Sequence, residues 1–238
     1  MNTQKIWYQI RFHLVAAFLA CLLMVPSAAT ARIRTEAAQF QGAIVVHRSR
    51  LNRRYKKIKR PKTKYIIVHT SELGLEATLR VVSRGKRFRS GRRTHGGHTH
   101  YVIARNGRTY RILDKKYVAD HAGRSMWQGH TDISKMSIGV ELVGYHYAPI
   151  SKAHYRSLGR LIDILQGVYY LDDRAVLTHS QVAYGRPNRW YRKNHRGRKR
   201  CAKNFDRAKA GLGPTWPYDP DVKAGRLMAD TQLAAVFY

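Results

Sequence analysis

Two apolar runs of this chain each end in a histidine, Tyr65-Ile66-Ile67-Val68-His69 and Ala175-Val176-Leu177-Thr178-His179, and a cysteine follows in Gly197-Arg198-Lys199-Arg200-Cys201. Two imidazoles and a thiolate form a donor set that zinc accepts, and a three-ligand site keeps its fourth position for water, as catalytic rather than structural sites do. Each histidine alone is weak evidence, because the chain has 12 and a strand-end histidine commonly serves as a hydrogen-bonded structural residue. Their joint placement says more: neighbouring strands ending in histidine bring both rings to one rim of a sheet, where α/β folds place ligand sites. Cys21 lies in the apolar N-terminus, so once that segment is removed Cys201 has no disulfide partner and is left to a metal or to a free-thiol role.

Two further residues could complete a reaction centre. In an extended segment Lys199 leaves the backbone on the same side as Cys201, which sets an ammonium beside the ion, where fixed positive charge can stabilise an oxyanion. The competing reading, one more solvated cation in a basic loop, is the one composition alone favours. Glu141 sits in the strand Ser137-Ile138-Gly139-Val140-Glu141-Leu142, with Ile138, Val140 and Leu142 on one face and Ser137, Gly139 and Glu141 on the other. It is a candidate general base for a metal-activated water. A carboxylate that merely neutralises arginines is the alternative.

The elements around these residues point to an α/β fold, a central mixed β-sheet flanked by helices. The continuous apolar run Tyr65 to Val68 is that of a strand covered on both faces. Leu75 to Val82 has helical spacing, and Ser151 to Tyr170 repeats apolar residues every three or four positions as a long amphipathic helix. Asn106-Gly107 between two short apolar runs signals a hairpin with a type I′ turn. Phe205 to Leu212 reads as a short helix stopped by Gly213-Pro214. His95-Gly96-Gly97-His98-Thr99-His100 has the composition of a metal-binding tract, but reads as a glycine-containing loop entering the strand at Tyr101.

Residues 1–31 read as a cleaved export signal: Lys5 and Arg11, an apolar run from Phe12 to Val25, then Ala29-Thr30-Ala31. The run is shorter than the roughly 20 residues that span a bilayer, so no transmembrane span is expected in the mature form. Cys21 faintly resembles a lipidation site, but the apolar run continues beyond it. Residues 32–63 read as a basic arm or linker, 64–213 as the catalytic domain and 214–238 as a weakly patterned tail. The net charge of +31, from 45 Lys and Arg against 14 Asp and Glu, attracts polyanions. For an exported protein these are anionic cell-wall polymers or lipopolysaccharide phosphates, met through the basic segments near 48–62 and 186–203, and nucleic acid is disfavoured. General solubility explains the charge about as well.

The pieces Ile66-Ile67-Val68-His69-Thr70, His100-Tyr101-Val102-Ile103, Asn106-Gly107, His121-Ala122-Gly123-Arg124-Ser125-Met126-Trp127, Ser137 to Leu142, Thr178-His179-Ser180 and Gly197 to Cys201 stand in an order that resembles the type 2 N-acetylmuramoyl-L-alanine amidases. Phage lysozyme-type amidases and peptidoglycan recognition proteins are related to them. The resemblance spans about residues 64 to 212. It implies a zinc enzyme that cuts the amide between N-acetylmuramic acid and L-alanine in peptidoglycan or muropeptides, in the periplasm or outside the cell. His69, His179 and Cys201 would be the Zn2+ ligands, Glu141 the acid/base and Lys199 the transition-state partner. His121, Arg124, Trp127 and Thr99 would contact substrate. Many bacterial members carry aspartate where Cys201 stands, and an insertion around Asn188 to His195 leaves His195 as an alternative third ligand. Some relatives place a tyrosine where this chain has Thr99, so more of the proton transfer falls to Glu141. A peptidoglycan binder of the same fold without activity is the competing function, and a charge-driven nucleic-acid binder is a third.

Overall fold

The computed structural model describes residues 28–230. Up to residue 27 the expected export signal lies outside the described residues; Ala28 to Ala31 form the first turn of helix α1 (Ala28–Gly42). This helix draws on Ala28, Ala29, Ala31, Ala37 and Ala38, alanine being the strongest helix former. It belongs to a unit ending at Ala43, and a second unit begins at Ile44. Among the described residues no helix is long and apolar enough to cross a membrane.

In the second unit the strand Tyr65–Thr70, β2, is buried at every position. Its β-branched run suits the middle of a sheet, and it pairs in parallel with both β7 (Ser137–Leu142) and β8 (Val176–Thr178). Beyond β7 come β3 (Tyr101–Ile103), parallel to it, then β4 (Thr109–Arg111), antiparallel to β3, and β1 (Val45–Val46) at the edge. The six strands lie in the order β1-β4-β3-β7-β2-β8, a mixed sheet. A separate two-stranded ribbon joins β5 (Met126–Trp127) and β6 (His130–Thr131).

Side-chain alternation divides the sheet into two faces. Tyr65 and Ile67 of β2 pack with Leu177, Trp127, Ile133 and Val182 on one of them. On that face, nearer β4, Val102 and Tyr110 pack against Leu79 and Val82 of α2 (Leu75–Arg84). The opposite face carries Ile138, Val140 and Leu142, each 1% exposed or less. It is covered by α3 (Lys152–Tyr169), which contacts β3 and buries Leu158, Leu161, Ile162 and Leu165. Ser151 starts α3 with a capping box, as the spacing of its apolar residues anticipates.

Several elements differ from the sequence expectation. The hairpin at Asn106-Gly107 forms, but Gly107 alone in its loop has positive φ, +87°, and its N–H donates to Ala104 O, so the loop is a three-residue turn closed by a left-handed glycine rather than type I′. The helix expected from Phe205 to Leu212 shrinks to a 3-10 turn, Ala208–Ala210. The compact unit starts some twenty residues before residue 64, because the basic arm folds onto it. Arg60 donates to the carbonyls of Tyr117 (3.0 Å), Ser137 (3.1 Å) and Lys115, and lies over the Tyr169 ring.

The tail is fastened by charge. The guanidinium of Arg196, in the insertion, is 3% exposed and holds Asp219 at 2.6 Å and Asp221 at 3.2 Å, both buried. Asp221 also takes Arg226 at 2.8 Å, and Trp216 packs edge-on to Trp127. Replacing Arg196 by methionine removes the guanidinium that two buried carboxylates share and should cost about 3–5 kcal/mol. Thermal denaturation checks this; a melting temperature within a degree of the parent would show that the cluster does not hold the tail.

Candidate metal centre

Strand register brings the candidate residues together. His69 is the direct neighbour of Glu141 across β2 and β7, and Val68 is the neighbour of Thr178 across β2 and β8, so His179 emerges beside His69. His179 is not the last strand residue the apolar run suggested. It opens the short helix α4 (His179–Val182), which Thr178 caps through a reciprocal pair of bonds with Gln181. The turn swings the His179 ring to 4.5 Å from the His69 ring, centroid to centroid. Cys201 arrives on a loop clamped from both sides: its carbonyl accepts from the Ser180 hydroxyl at 2.9 Å, and Thr70 N–H donates to its sulfur at 3.2 Å. The Sγ atom lies 3.7 Å from His69 Nδ1, and one donor atom from each of His69, His179 and Cys201 lies within 4.8 Å of the others.

Hydrogen bonds behind the rings decide which nitrogen faces the centre. Ser137 Oγ spends its one proton on Ile133 O at 2.6 Å and therefore accepts from His121 Nε2 at 3.0 Å. His121 Nδ1 is then an acceptor, and His69 Nε2 donates to it at 3.0 Å. This leaves the lone pair of His69 on Nδ1, toward Cys201 and Glu141. His179 Nε2 likewise donates to Ala122 O at 3.1 Å and frees its own Nδ1. The face of β7 that carries no large apolar side chain has three tasks: Ser137 anchors His121, Gly139 makes room for it, and Glu141 reaches the centre. A Cβ on Gly139 would stand 2.6 Å from the His121 ring.

Burial keeps the centre uncharged. It pushes His179 down to about 4, with help from the Lys199 ammonium, and holds His69 well below the usual imidazole range, with His179, His121 and Lys199 adding to the effect. Burial raises the Cys201 thiol, and the nearby Glu141 adds to this. Glu141 rises to about 8 through burial and then the charge of Glu72. The 3.9 Å contact of Glu141 Oε1 with His69 Nδ1 is therefore between neutral groups, and Glu141 Oε2 is buried with no partner. Two imidazole lone pairs and a thiol within 4.8 Å of one another suit a divalent cation, which would ionise the thiol, and the Glu141 carboxyl stands beside them.

The other sequence candidates are scattered. Lys199 is exposed, but its charge reaches both His69 and His179. His121 stands behind His69, 8% exposed, with its Nδ1 3.0 Å from His69 Nε2. Thr99 and Trp127 are fully buried, Thr99 donating to Gly139 O at 2.8 Å and Trp127 packed in the core, so neither offers a surface to substrate. Arg124 is partly exposed. His195 stacks on Tyr191 at 4.0 Å and is not part of the donor group. Sequence reasoning missed Glu72, whose carboxylate accepts from Thr70 Oγ1 at 2.6 Å and pairs with His146 at 2.9 Å. It also missed Ser137 and Gly139 as supports, although their alternation with Glu141 was the available signal.

Fold and donor set define an α/β protein built around one candidate metal centre. Residues 59–201, more than half of the chain, match the family described as N-acetylmuramoyl-L-alanine amidase, and the chain belongs to that family. It is similar to the 1,6-anhydro-N-acetylmuramyl-L-alanine amidase AmpD of Haemophilus influenzae, 36% identical over 70 residues, covering 29% of this chain and 38% of the relative. The AmpD of Enterobacter cloacae is 33% identical over 82 residues, 34% of this chain and 44% of the relative. The matched stretches thus span less than half the length of either relative. The structure of a selenomethionine derivative of AmpD superposes with a TM-score of 0.54 at 19% identity, over 71% of this chain and 93% of that one, a likeness of fold.

Because the Cys201 thiol holds its proton at neutral pH while His69 and His179 are already neutral, metal uptake at pH 7 should expel at least one proton per ion, and affinity should rise with pH. Calorimetric titration with zinc in buffers of different ionisation enthalpy measures the count. A heat independent of buffer would contradict the assignment of Cys201.

Proposed function

We propose that this protein hydrolyses the amide bond between N-acetylmuramic acid and L-alanine in peptidoglycan or its muropeptides, with zinc held by His69, His179 and Cys201. The observation that carries the reading is the meeting of these three donors with an unpartnered Glu141 oxygen at one sheet rim, inside the family-matched segment. Zinc bound there would acidify a water and polarise the scissile carbonyl. Glu141 takes the proton of the attacking water as the C–O bond forms and delivers it to the leaving nitrogen as the C–N bond breaks. Lys199 steadies the negative charge that develops on the carbonyl oxygen. His121 and Ser137 hold His69 in the tautomer that presents Nδ1.

A binding protein without activity is the second reading. Such a receptor has no use for the acid/base, and the presence of Glu141 and Lys199 beside a full donor set favours the enzyme. The basic N-terminus with its apolar run and small residues before Arg32 supports export to the periplasm or beyond. The names of the two curated relatives make a soluble 1,6-anhydro muropeptide the first substrate to assay.

Glu141→Gln should retain zinc at one ion per chain and lower turnover on that substrate by about 10²–10⁴-fold, measured by release of free stem peptide. Parent-like turnover would remove Glu141 from the mechanism. His121→Phe keeps a ring but loses the acceptor for His69 Nε2–H. Zinc affinity, read by chelator competition, should fall about 10–100-fold, and an unchanged affinity would show that the imidazole chain does not orient the ligand.

A further inference from the structure

Three adjoining concavities, of about 530, 370 and 410 Å³, share one residue, Arg84 at the end of α2. Arg50 and Arg54 enter from the segment before β2, Arg80 and Arg84 from the helix, and Arg87 and Arg93 from the loop that follows. Glu76 is the one carboxylate in their walls. Among the described residues none of these six guanidinium groups lies within ion-pair distance of a carboxylate.

The groove is fixed by backbone. Asn52 N–H donates to Ser83 O at 2.9 Å and its side chain to Arg84 O at 3.1 Å, tying the arm to the helix end. Gly85, at φ +84°, lets the loop close so tightly that a Cβ would stand 2.0 Å from Thr94 O. Lys86 to Thr94 form a small hairpin in which Arg87 is bridged directly opposite Arg93. Like charges opposed across a ladder destabilise it. Arg50 and Arg84 add to burial in depressing the pKa of His47 in the same wall. The fold thus holds a concentration of positive charge that the one carboxylate in its walls, Glu76, offsets only in part, and a bound polyanion would offset the rest.

The geometry points to a site for clustered phosphate groups, as presented by a phosphorylated glycolipid headgroup at the envelope surface. Separate open basins with cationic walls suit several phosphates held side by side. Single-stranded nucleic acid needs aromatic faces for its bases; the aromatic of the hairpin, Phe88, is occupied by Lys86 at 4.9 Å and Arg92 at 4.8 Å. The site differs from the sequence expectation in drawing on the 86–94 hairpin, which is outside the segments near 48–62 and 186–203. None of the residues lining the three concavities belongs to the donor group His69, His179 and Cys201.

The test is co-sedimentation of the full chain, at about 0.15 M salt, with zwitterionic vesicles carrying a bis-phosphorylated glycolipid. The double variant R87E/R93E should lose at least about tenfold in affinity, since each basic residue near an anionic surface adds to the attraction. A control of equal charge change, R156E/R160E on exposed positions of α3, should lose less than about threefold. Arg93→Ala alone relieves the opposed charges: its melting temperature should hold or rise while vesicle binding weakens, whereas a structural role predicts a fall. Equal losses in the two double variants, no vesicle binding by the parent chain, or tighter binding to duplex DNA than to the vesicles overturns the proposal. None of these readouts depends on amide hydrolysis.

Discussion

A buried hydrogen bond between two imidazoles, His69 Nε2 to His121 Nδ1, is the interaction on which the centre depends. An imidazole left free to choose its tautomer would turn either nitrogen to the ion. Here the single proton of Ser137, committed to Ile133 O, settles the direction of every donor along the chain to His69. The hydroxyl, the missing side chain of Gly139 and the carboxyl of Glu141 all sit on one face of β7, so the strand that supports the ligand also carries the proposed acid/base. Strand register then does the rest, setting Glu141 opposite His69 and delivering His179 one step beyond Thr178.

Burial explains why this centre is tuned for a cation rather than for ion pairing. In the metal-free chain, burial keeps the imidazoles neutral and the thiol and Glu141 protonated, so no net charge is stranded in the low-dielectric interior. The same shifts give a pH dependence of opposite signs. The folded pKa of His179 lies below its unfolded value, so its contribution to stability is lost as pH falls from 6.5 toward 4. Glu141 is raised from 4.5 to about 8, so it withdraws stability as pH rises through that window.

Where a pattern is local and periodic, the sequence showed the structure plainly. The alternation from Ser137 to Leu142 placed Glu141 on the correct face, and spacings of three and four located α3 nearly to its ends. The family resemblance and the residue pattern pointed to the same donors. Contacts that span tens of residues were hidden. A two-residue strand such as β1 has no periodicity, and Arg60 reads as one more cation of a basic run until Tyr117, Ser137 and Tyr169 surround it. The tail looked weakly patterned because its information is ionic and distant, in Asp219 and Asp221 closing on Arg196. Thr99 and Trp127 show the limit of transferring roles along a motif: the residue types were noticed, but both are fully buried.

The central claim is that one ion is shared by two Nδ1 nitrogens and one sulfur. X-ray absorption at the zinc edge of the zinc-loaded protein tests it most directly. The account predicts a first shell with one sulfur at about 2.3 Å and nitrogen or oxygen donors at about 2.0–2.1 Å, including the outer-shell signature of two imidazoles. A shell without sulfur, or with a single imidazole, would contradict it.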